Sequence, residues 1–205
     1  MRVRRLTLGP LDTNCWLIDD GDGGPVLVTD PADEVEAIVS ALDDAPVEAI
    51  VLTHGHFDHI GAVAELIGLT GAPLLIHEAD AASITSAAGS GGALFGFDVS
   101  APAADRTFGD GDTIVAGGVM LTVLHTPGHT PGSVCLFSDG HLLSGDTLFA
   151  GSIGRTDFPG GDMIAMRRSI ARLASLADET RVYPGHGPET TIGRERRVNP
   201  FFPRA

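Results

Sequence analysis

Residues 53–59, Thr-His-Gly-His-Phe-Asp-His, are the stretch around which this chain is organised. Three imidazoles and one carboxylate fall within six consecutive residues, in a chain that contains only eight histidines. Imidazole nitrogens and carboxylate oxygens are groups that bind zinc and similar divalent ions in proteins. A solvated polar loop or the first turn of an ordinary helix explains so dense a set less well. The stretch therefore predicts a metal site that uses His54, His56, Asp58 and His59.

The apolar run before this stretch predicts how it is positioned. Residues 49–52, Ala-Ile-Val-Leu, have the pattern of a buried strand that ends at Thr53. Open sheets place their binding sites at the carboxyl ends of strands. We therefore expect the histidine stretch to lie at a sheet edge.

Length and charge limit the classes of function. The chain has 205 residues, of which 43% are hydrophobic, so we expect one core and a single domain over residues 1–205. The formal net charge of −14 argues against a nucleic-acid partner, because phosphate backbones are bound by clustered Lys and Arg. The chain has no lysine, so an anionic substrate group must be bound by arginine, backbone amides or metal.

The terminal and cysteine patterns predict a cytoplasmic enzyme. The basic residues 1–5 are followed by an apolar run that is too short and interrupted for a signal peptide. No later stretch has the length of a membrane span, so we expect no membrane partner. Cys15 and Cys135 each lie in an apolar run, which is typical of buried packing residues rather than of a disulfide or a nucleophile.

Apolar periodicity predicts the secondary structure. Strands are predicted at 3–8, 15–18, 26–28, 49–53, 73–77, 113–115, 120–124, 134–137, 141–143 and 182–183. Helices are predicted at 35–42, 60–67, 79–86 and 162–176, and within the tail 190–202, whose Phe201 and Phe202 are expected to pack onto the body. Residues 87–104 are predicted to be a loop that either covers a pocket or lies on the surface.

The order of these elements predicts the fold class. Strands and helices alternate without a repeated βαβ unit, which favours an α/β protein with two mixed sheets packed face to face and helices outside.

Further polar residues follow other predicted strands. His129, Asp146 and His186 each come after an apolar strand and are flanked by Gly or Pro, as His54 is. If these strand ends meet at one edge, they bring seven imidazole and carboxylate groups together. Seven groups are too many for one ion, but they suit two metals ~3.5–4 Å apart that share a carboxylate. His77 and His125 are predicted to be structural strand-end residues.

These residues together resemble the metallo-β-lactamase superfamily, whose His-x-His-x-Asp-His signature stands here at residues 54–59. The similarity extends to residues 14–18, the Asp30-Pro31 turn, His129, Asp146 and His186, although Ala32 replaces a glycine usual in the family. It implies a four-layer αββα sandwich. It also implies the ligand sets: one metal bound by His54, His56 and His129, a second bound by Asp58, His59 and His186, Asp146 bridging them, and Asp30 supporting them from outside.

Longer strings resemble the short, single-domain members of the glyoxalase II branch. They are residues 151–162, 183–193 and 199–201. This similarity implies hydrolysis of an S-acylated low-molecular-weight thiol, such as an S-lactoyl thiol, by a metal-activated hydroxide. Asp58 would help to hold the nucleophile. The implied cofactors are two divalent ions, with zinc favoured over iron or manganese, and the implied partner is a small thiol ester.

Arg155 occupies the basic position that contacts a carboxylate of glutathione in the longer, two-domain enzymes. Arg155 could instead pair with Asp157 or Asp162 and hold its own loop. The helical domain that supplies further cations in those enzymes has no counterpart before Ala205, and only Arg194, Arg196 and Arg197 are candidates to replace it. The thiol carrier, glutathione or another, and the oligomeric state stay open.

Two alternatives to hydrolysis remain. Persulfide dioxygenases resemble this chain in the histidine stretch and in residues 154–158, and they use one iron, which here would be held by His54, His129 and Asp146. The string around His186 favours the hydrolases instead. A metal-binding module without turnover is disfavoured because every ligand position is filled, and the glyoxalase-like strings disfavour β-lactam hydrolysis.

Overall fold

Two six-stranded sheets form the centre of the protein in the computed structural model, which describes residues 1–203. The first sheet has the order β1-β2-β3-β4-β5-β6, with bounds Arg2–Leu8, Thr13–Asp19, Val26–Thr29, Val47–Val51, Leu74–His77 and Arg106–Phe108. The second has the order β14-β13-β10-β9-β8-β7, with bounds Thr190–Thr191, Arg181–Pro184, His141–Gly145, Val134–Ser138, Val119–His125 and Thr113–Ala116. A small hairpin joins β11 (Leu148–Phe149) to β12 (Ser152–Ile153).

Four helices complete the fold: α1 (Val35–Leu42), α2 (Val63–Thr70), α3 (Met163–Leu173) and α4 (Ile192–Val198). Both sheets are mixed, since β3 to β6 run parallel after an antiparallel start and β10 pairs parallel with β13 in a mostly antiparallel sheet. No helix within residues 1–203 is long and apolar enough to cross a membrane.

Three apolar layers hold the sheets and helices together. Alternation along β2 sends Leu17 to the layer under α1 and α2, while Trp16 and Ile18 enter the layer between the two sheets. The third layer contains Leu142 of β10 and Ile170 of α3. The predicted αββα sandwich is therefore confirmed. Cys15 and Cys135 are buried in different layers and carry no disulfide.

Some predicted element bounds are wrong. Helix α2 begins at Val63 rather than at residue 60, because residues 57–59 form a separate 3₁₀ turn. The predicted helix 79–86 is two 3₁₀ turns, Glu78–Asp80 and Ser83–Thr85. The hydroxyls of Ser83 and Thr85 donate to carbonyls three residues earlier, and such local bonds compete with a regular helix.

The structure also corrects the ends of the last two helical regions. Asp162 caps α3 by accepting from the amides of Ile164 and Ala165, and the helix ends at Leu173 rather than at residue 176. In the tail, Phe202 is buried as expected, but the side chain of Phe201 is 42% exposed. Strands β6, β11, β12 and β14 were not predicted, because two or three residues are too few to show an apolar alternation.

One buried carboxylate, Asp80, joins two loops at the carboxyl edge of the sheets. Its side chain accepts from the amide of Gly55 at 2.9 Å, the amide of Gly132 at 2.7 Å and the hydroxyl of Thr130 at 2.7 Å. Gly55 lies in the loop after β4 and Gly132 in the loop after β8. A side chain at Gly132 would collide with Asp80, so the contact depends on glycine there. Asp80 therefore fixes the spacing between the two loops.

We expect Asp80→Ala to lower the free energy of unfolding by at least about 3 kcal/mol. The reason is that three buried donors lose their acceptor, at ~1–3 kcal/mol each. Urea unfolding with a metal chelator present measures the protein alone. Glu36→Ala is the matched control, because Glu36 is exposed and makes no side-chain hydrogen bond within residues 1–203; its change should stay within about 0.5 kcal/mol. Equal losses in the two variants would contradict the assigned role of Asp80.

Candidate metal centre

All seven predicted ligand residues lie at one edge of the sandwich, where strands of both sheets end. The loop after β4 carries His54 and His56, and the 3₁₀ turn that follows carries Asp58 and His59. The second sheet contributes His129 after β8, Asp146 after β10 and His186 after β13. The loops are linked across the sheets, since the amide of Val134 donates to the carbonyl of Thr53 at 2.9 Å.

The seven side chains form three overlapping groups. In each group the ligand atoms lie within 4.8 Å of one another. The groups are His54, His56 and His129; His54, His59 and Asp146; and Asp58, His59 and His186. The first and third are the two ligand sets that the family resemblance implies.

Asp146 faces both sets. Its Oδ1 is 3.5 Å from His59 Nε2, while its Oδ2 is 3.4 Å from His129 Nε2 and 3.6 Å from His186 Nε2. Asp58 stands at the other side of the second set, with Oδ2 3.2 Å from His186 Nε2 and 3.7 Å from His59 Nε2. One carboxylate thus reaches both groups, and the other reaches only one.

Four imidazoles have a polar neighbour at Nδ1: three have a hydrogen-bond partner there, and His59 has a carboxylate within ion-pair distance. The Nδ1 atoms lie 3.0 Å from the Leu11 carbonyl for His186, 2.8 Å from the Arg155 carbonyl for His129, 3.2 Å from Thr53 Oγ1 for His54 and 3.1 Å from Asp30 Oδ2 for His59. A carbonyl only accepts, so Nδ1 of His129 and of His186 carries a proton, and Nε2 is the nitrogen left to bind a metal. Such outer contacts orient imidazole ligands in metal sites.

Asp30 supports the cluster from beneath. Its carboxylate accepts from the amide of Thr53 at 2.8 Å and from its hydroxyl at 2.6 Å, beside His59. Asp30 has a positive φ of 49°, and Ala32, the departure from the family pattern, lies two residues beyond in the same turn. No ligand atom is contributed by Ala32, so the departure affects the turn alone.

The donor atoms at the centre fit a metal ion. His54 Nε2, His59 Nε2 and Asp146 Oδ1 are buried and have no hydrogen-bond partner within residues 1–203. Buried polar atoms without partners are rare in folded proteins and require an explanation. His56 Nδ1 also lies 2.8 Å from His129 Nε2, so two imidazole nitrogens face each other directly. Divalent cations bound at this edge would give these atoms partners.

Burial and charge set the protonation of the cluster. Burial, together with His59 and the other imidazoles, holds the pKa of His54 well below its usual range, and burial with His129 lowers the pKa of His56 to about 4. These two rings are therefore neutral, as metal ligands must be. Burial also lowers the pKa of His59, but the carboxylates of Asp146 and Asp58 outweigh it and raise this pKa well above its usual range.

Charges within the cluster also set the pKa values of Asp146 and His186. Burial opposes ionisation of Asp146, yet the charge of His59 dominates and holds the pKa of Asp146 below its usual range. Burial likewise opposes the charge on His186, and the hydrogen bond with Asp58 overcomes it and raises the pKa of His186. Without a bound cation, protons on these imidazoles balance the buried negative charge.

A cavity of about 540 Å³ opens onto the cluster. Five residues of the cluster line it: His56, Asp58, His129, Asp146 and His186. The rest of the wall is largely apolar and consists of Leu11, Phe57, Phe95, Phe97, Phe149, Ser152, Ile153, Arg155 and Phe158. Phe95 and Phe97 belong to the predicted loop 87–104. That loop therefore forms part of the cavity wall.

Arg155 stands at this wall and is paired with Asp157. Its Nε and Nη2 donate to the two carboxylate oxygens of Asp157, each at 2.8 Å, and its Cζ lies 3.5 Å from the centre of the Phe158 ring. Asp162, the other partner considered from the sequence, caps α3 instead. The residues Arg194, Arg196 and Arg197 do not line the cavity.

The other polar residues noted in the sequence lie outside the cluster. His77 stacks on His125 with ring centres 4.2 Å apart, and neither belongs to a candidate metal group within residues 1–203. Sequence reasoning missed Asp80 and the carbonyl of Leu11. Asp80 is one of two acids in residues 74–84, with Glu78, so the sequence does not single it out, and a backbone carbonyl leaves no signal at all.

Comparison with known proteins gives consistent relatives. The metallo-beta-lactamase superfamily profile matches residues 8–186, which include all seven cluster residues. A protein of Aquifex aeolicus is 41% identical over 204 residues, covering 98% of this chain and 97% of its own. The probable metallo-hydrolase YqgX of Bacillus subtilis is 39% identical, and the hydroxyacylglutathione hydrolase GloC of Haemophilus influenzae is 33% identical, each over 209 residues and 98% of both chains.

Solved structures agree with this grouping. The B3 metallo-beta-lactamase BLEG-1 has 36% identity and a TM-score of 0.92, covering 98% of this chain and 99% of its own. The di-iron-bound form of TTHA1623 has 40% identity and a TM-score of 0.88, with 98% and 100% covered. ETHE1 from Myxococcus xanthus has 30% identity and a TM-score of 0.80, with 98% and 84% covered. With this fold, this edge cluster and these relatives, the chain belongs to the metallo-β-lactamase superfamily.

Proposed function

We propose that this protein hydrolyses the thioester bond of an S-acylated low-molecular-weight thiol, such as an S-lactoyl thiol, and that it uses two divalent metal ions. The observation that carries the proposal is Asp146, whose carboxylate lies beside both groups of three ligands, 3.4 Å from His129 of the first and 3.5 Å from His59 of the second. Hydrolysis is supported by the similarity to the probable metallo-hydrolase YqgX and to GloC, a hydroxyacylglutathione hydrolase.

The ligand residues would divide between the two ions. His54, His56 and His129 would hold the first ion, Asp58, His59 and His186 would hold the second, and Asp146 would be shared by both. Imidazole and carboxylate sites accept zinc, iron or manganese according to geometry and supply. We favour zinc, while the di-iron form of TTHA1623 keeps iron open.

The chain's own residues prepare the reaction. The bound ions supply Lewis acidity, which lowers the pKa of water and polarises a carbonyl oxygen. Asp58 lines the cavity, and its carboxylate would orient the attacking water. The Arg155 carbonyl accepts from Nδ1 of His129 and orients its ring, and Asp30 places a carboxylate 3.1 Å from Nδ1 of His59. A thiolate leaves readily, so the reaction requires no dedicated general acid.

The proposal extends to substrate and location. The partner is a small thiol ester held in the cavity beside the cluster, with Arg155 contacting it from the wall. The net charge of −14 opposes binding of nucleic acid and of anionic membrane surfaces. We place the protein in the cytoplasm as a working expectation.

A second candidate is oxidation of a thiol persulfide with a single iron at His54, His129 and Asp146. The similarity to ETHE1 from Myxococcus xanthus favours it. Against it, His186 lies 3.2 Å from Asp58 and completes a second ligand group, which a single-iron site does not use. A binding module without turnover is a weaker candidate, since the cavity opens directly onto the ligand residues.

We expect the purified protein to hydrolyse S-lactoyl thiols and to contain about two metal ions per chain, as two-metal hydrolysis requires. Metal analysis, thiol release and oxygen uptake with a thiol persulfide should be measured on one preparation. Nitrocefin hydrolysis serves as the comparison for β-lactamase activity. One iron per chain with persulfide-dependent oxygen uptake and no thiol release would establish the second candidate and reject the first.

Asp146→Ala should reduce the bound metal to one ion or fewer per chain and lower kcat/KM by at least about a hundredfold. Removal of a residue that merely supports a metal ligand lowers metal affinity or activity by about 10–100-fold, so removal of a shared ligand should lower them further. Glu179→Ala, an exposed carboxylate before the opposite end of β13, is the control and should keep both ions. Two-ion occupancy with normal turnover in Asp146→Ala would refute the bridging role.

Zinc affinity should fall by about tenfold or more for each unit of pH lowered between about 7 and 5. His59 is protonated over this range because its pKa is raised well above the usual value, so metal must displace that proton. His56, whose pKa is about 4, is already neutral and adds no dependence here. Competition with a chelator, corrected for the chelator's own protonation, measures the slope, and a flat profile would contradict a metal bound at His59.

A further inference from the structure

The wall of the cavity is unusually rich in phenylalanine. Five of the nine phenylalanines in the chain line it: Phe57, Phe95, Phe97, Phe149 and Phe158. They come from four separate segments, so no local sequence pattern concentrates them. An apolar wall of this extent is typical of sites that bury an apolar part of their ligand.

The aromatic rings support one another. Phe97 stacks on Phe57 with centres 5.1 Å apart, and Phe95 lies 5.5 Å from Phe158. Phe158 in turn stands edge-on to the His56 ring at 5.9 Å, so the wall begins directly beside a ligand residue. Phe95 is 50% exposed and Phe97 is 39% exposed, although such side chains are normally buried. Their exposed faces border the cavity and are available to a ligand.

The positive charge of the wall is cancelled. Apart from the imidazoles of the cluster, Arg155 is the cation among the cavity-lining residues within 1–203, and Asp157 takes two of its donors. Its flat face is covered by Phe158. The pair has no net charge, and the chain as a whole carries −14, so an approaching carboxylate meets no attraction from this wall. Of the guanidinium nitrogens of Arg155, only Nη1 makes no hydrogen bond within the described residues, so the group offers a ligand one nitrogen and no bidentate fork.

We propose that the cavity selects thiol esters with an uncharged, apolar group beside the reacting bond, and that Asp157 disfavours carriers with carboxylates by holding Arg155. This inference rests on the proposed thioesterase function and names its substrate class. Phe95 and Phe97 are then residues that determine specificity through apolar contact. Asp157 determines specificity through charge, although it touches no reacting atom.

Two matched pairs of substrates test the preference for an uncharged carrier and the preference for an apolar group. Lactoyl esters of 3-mercaptopropionamide and 3-mercaptopropionate differ only in the charge of the carrier. We expect the amide to have a kcat/KM about tenfold or more higher, the size of a good discrimination by binding. Phenyllactoyl and lactoyl esters of the same amide carrier differ only in an apolar ring, and we expect the phenyllactoyl ester to be preferred by a similar factor.

Variants assign these preferences to residues. Phe95→Ala should reduce the preference for phenyllactoyl over lactoyl by about fivefold or more, since removal of an apolar contact is worth that much in a binding pocket. Phe201→Ala removes a partly exposed phenylalanine outside the cavity and should leave the ratio unchanged. Asp157→Asn frees Arg155 and should shift the amide-to-carboxylate ratio toward the carboxylate, and adding Arg155→Ala should abolish that shift.

The possible outcomes distinguish failure of the substrate preference from failure of the proposed thioesterase function. Absence of hydrolysis with all four esters rejects the proposed function. Hydrolysis with the carboxylate carrier equal to or better than the amide, or with lactoyl equal to or better than phenyllactoyl, overturns the inference and leaves the thioesterase function standing. Ratios of kcat/KM within one preparation are insensitive to partial misfolding or metal loss, so a weakened variant still gives a decisive answer.

Discussion

The arrangement of the site depends on two buried carboxylates that accept hydrogen bonds from loop backbone. Asp80 receives the amides of Gly55 and Gly132, and Asp30 receives the amide and hydroxyl of Thr53. The backbone N–H groups of a loop packed over a sheet edge find no acceptor in the strands. Burial of these groups without a partner costs free energy of folding. The side chains of Asp80 and Asp30 supply acceptors to amides of the loops after β4 and β8. The ligand residues can then lie on irregular backbone and still be held as firmly as residues within a strand.

Prediction from the sequence succeeded where the signal is local. The run 49–52 is apolar and ends in polar residues, so both the strand and the position of the histidine stretch follow from short-range pattern. His129, Asp146 and His186 were found for the same reason, and the structure brings all of them together with that stretch. The arrangement of two sheets face to face follows from the order of the elements.

The errors and omissions in the prediction occur where residues far apart in the sequence determine local structure or burial. Residues 79–86 have helical spacing, but Asp80 there is committed to Gly55 and Gly132 of other loops, and regular helix is lost around it. Phe201 and Phe202 are neighbours with equal hydrophobicity, yet only the packing against the layer under α3 determines that Phe202 is the buried one. The phenylalanine wall is likewise assembled from separate segments, so no window of sequence contains it.

Arg155 serves two parts of the molecule through two different groups. Its side chain stands in the cavity wall, while its backbone carbonyl accepts from Nδ1 of His129. The carbonyl is present whatever residue occupies the position, so the side chain is free to vary without releasing the imidazole. A change in the length of this segment has no such freedom, because it moves the carbonyl itself. Diversification of this wall is therefore expected to proceed by replacement of residues, and insertions or deletions between β12 and α3 are expected to be rare among proteins that keep the cluster.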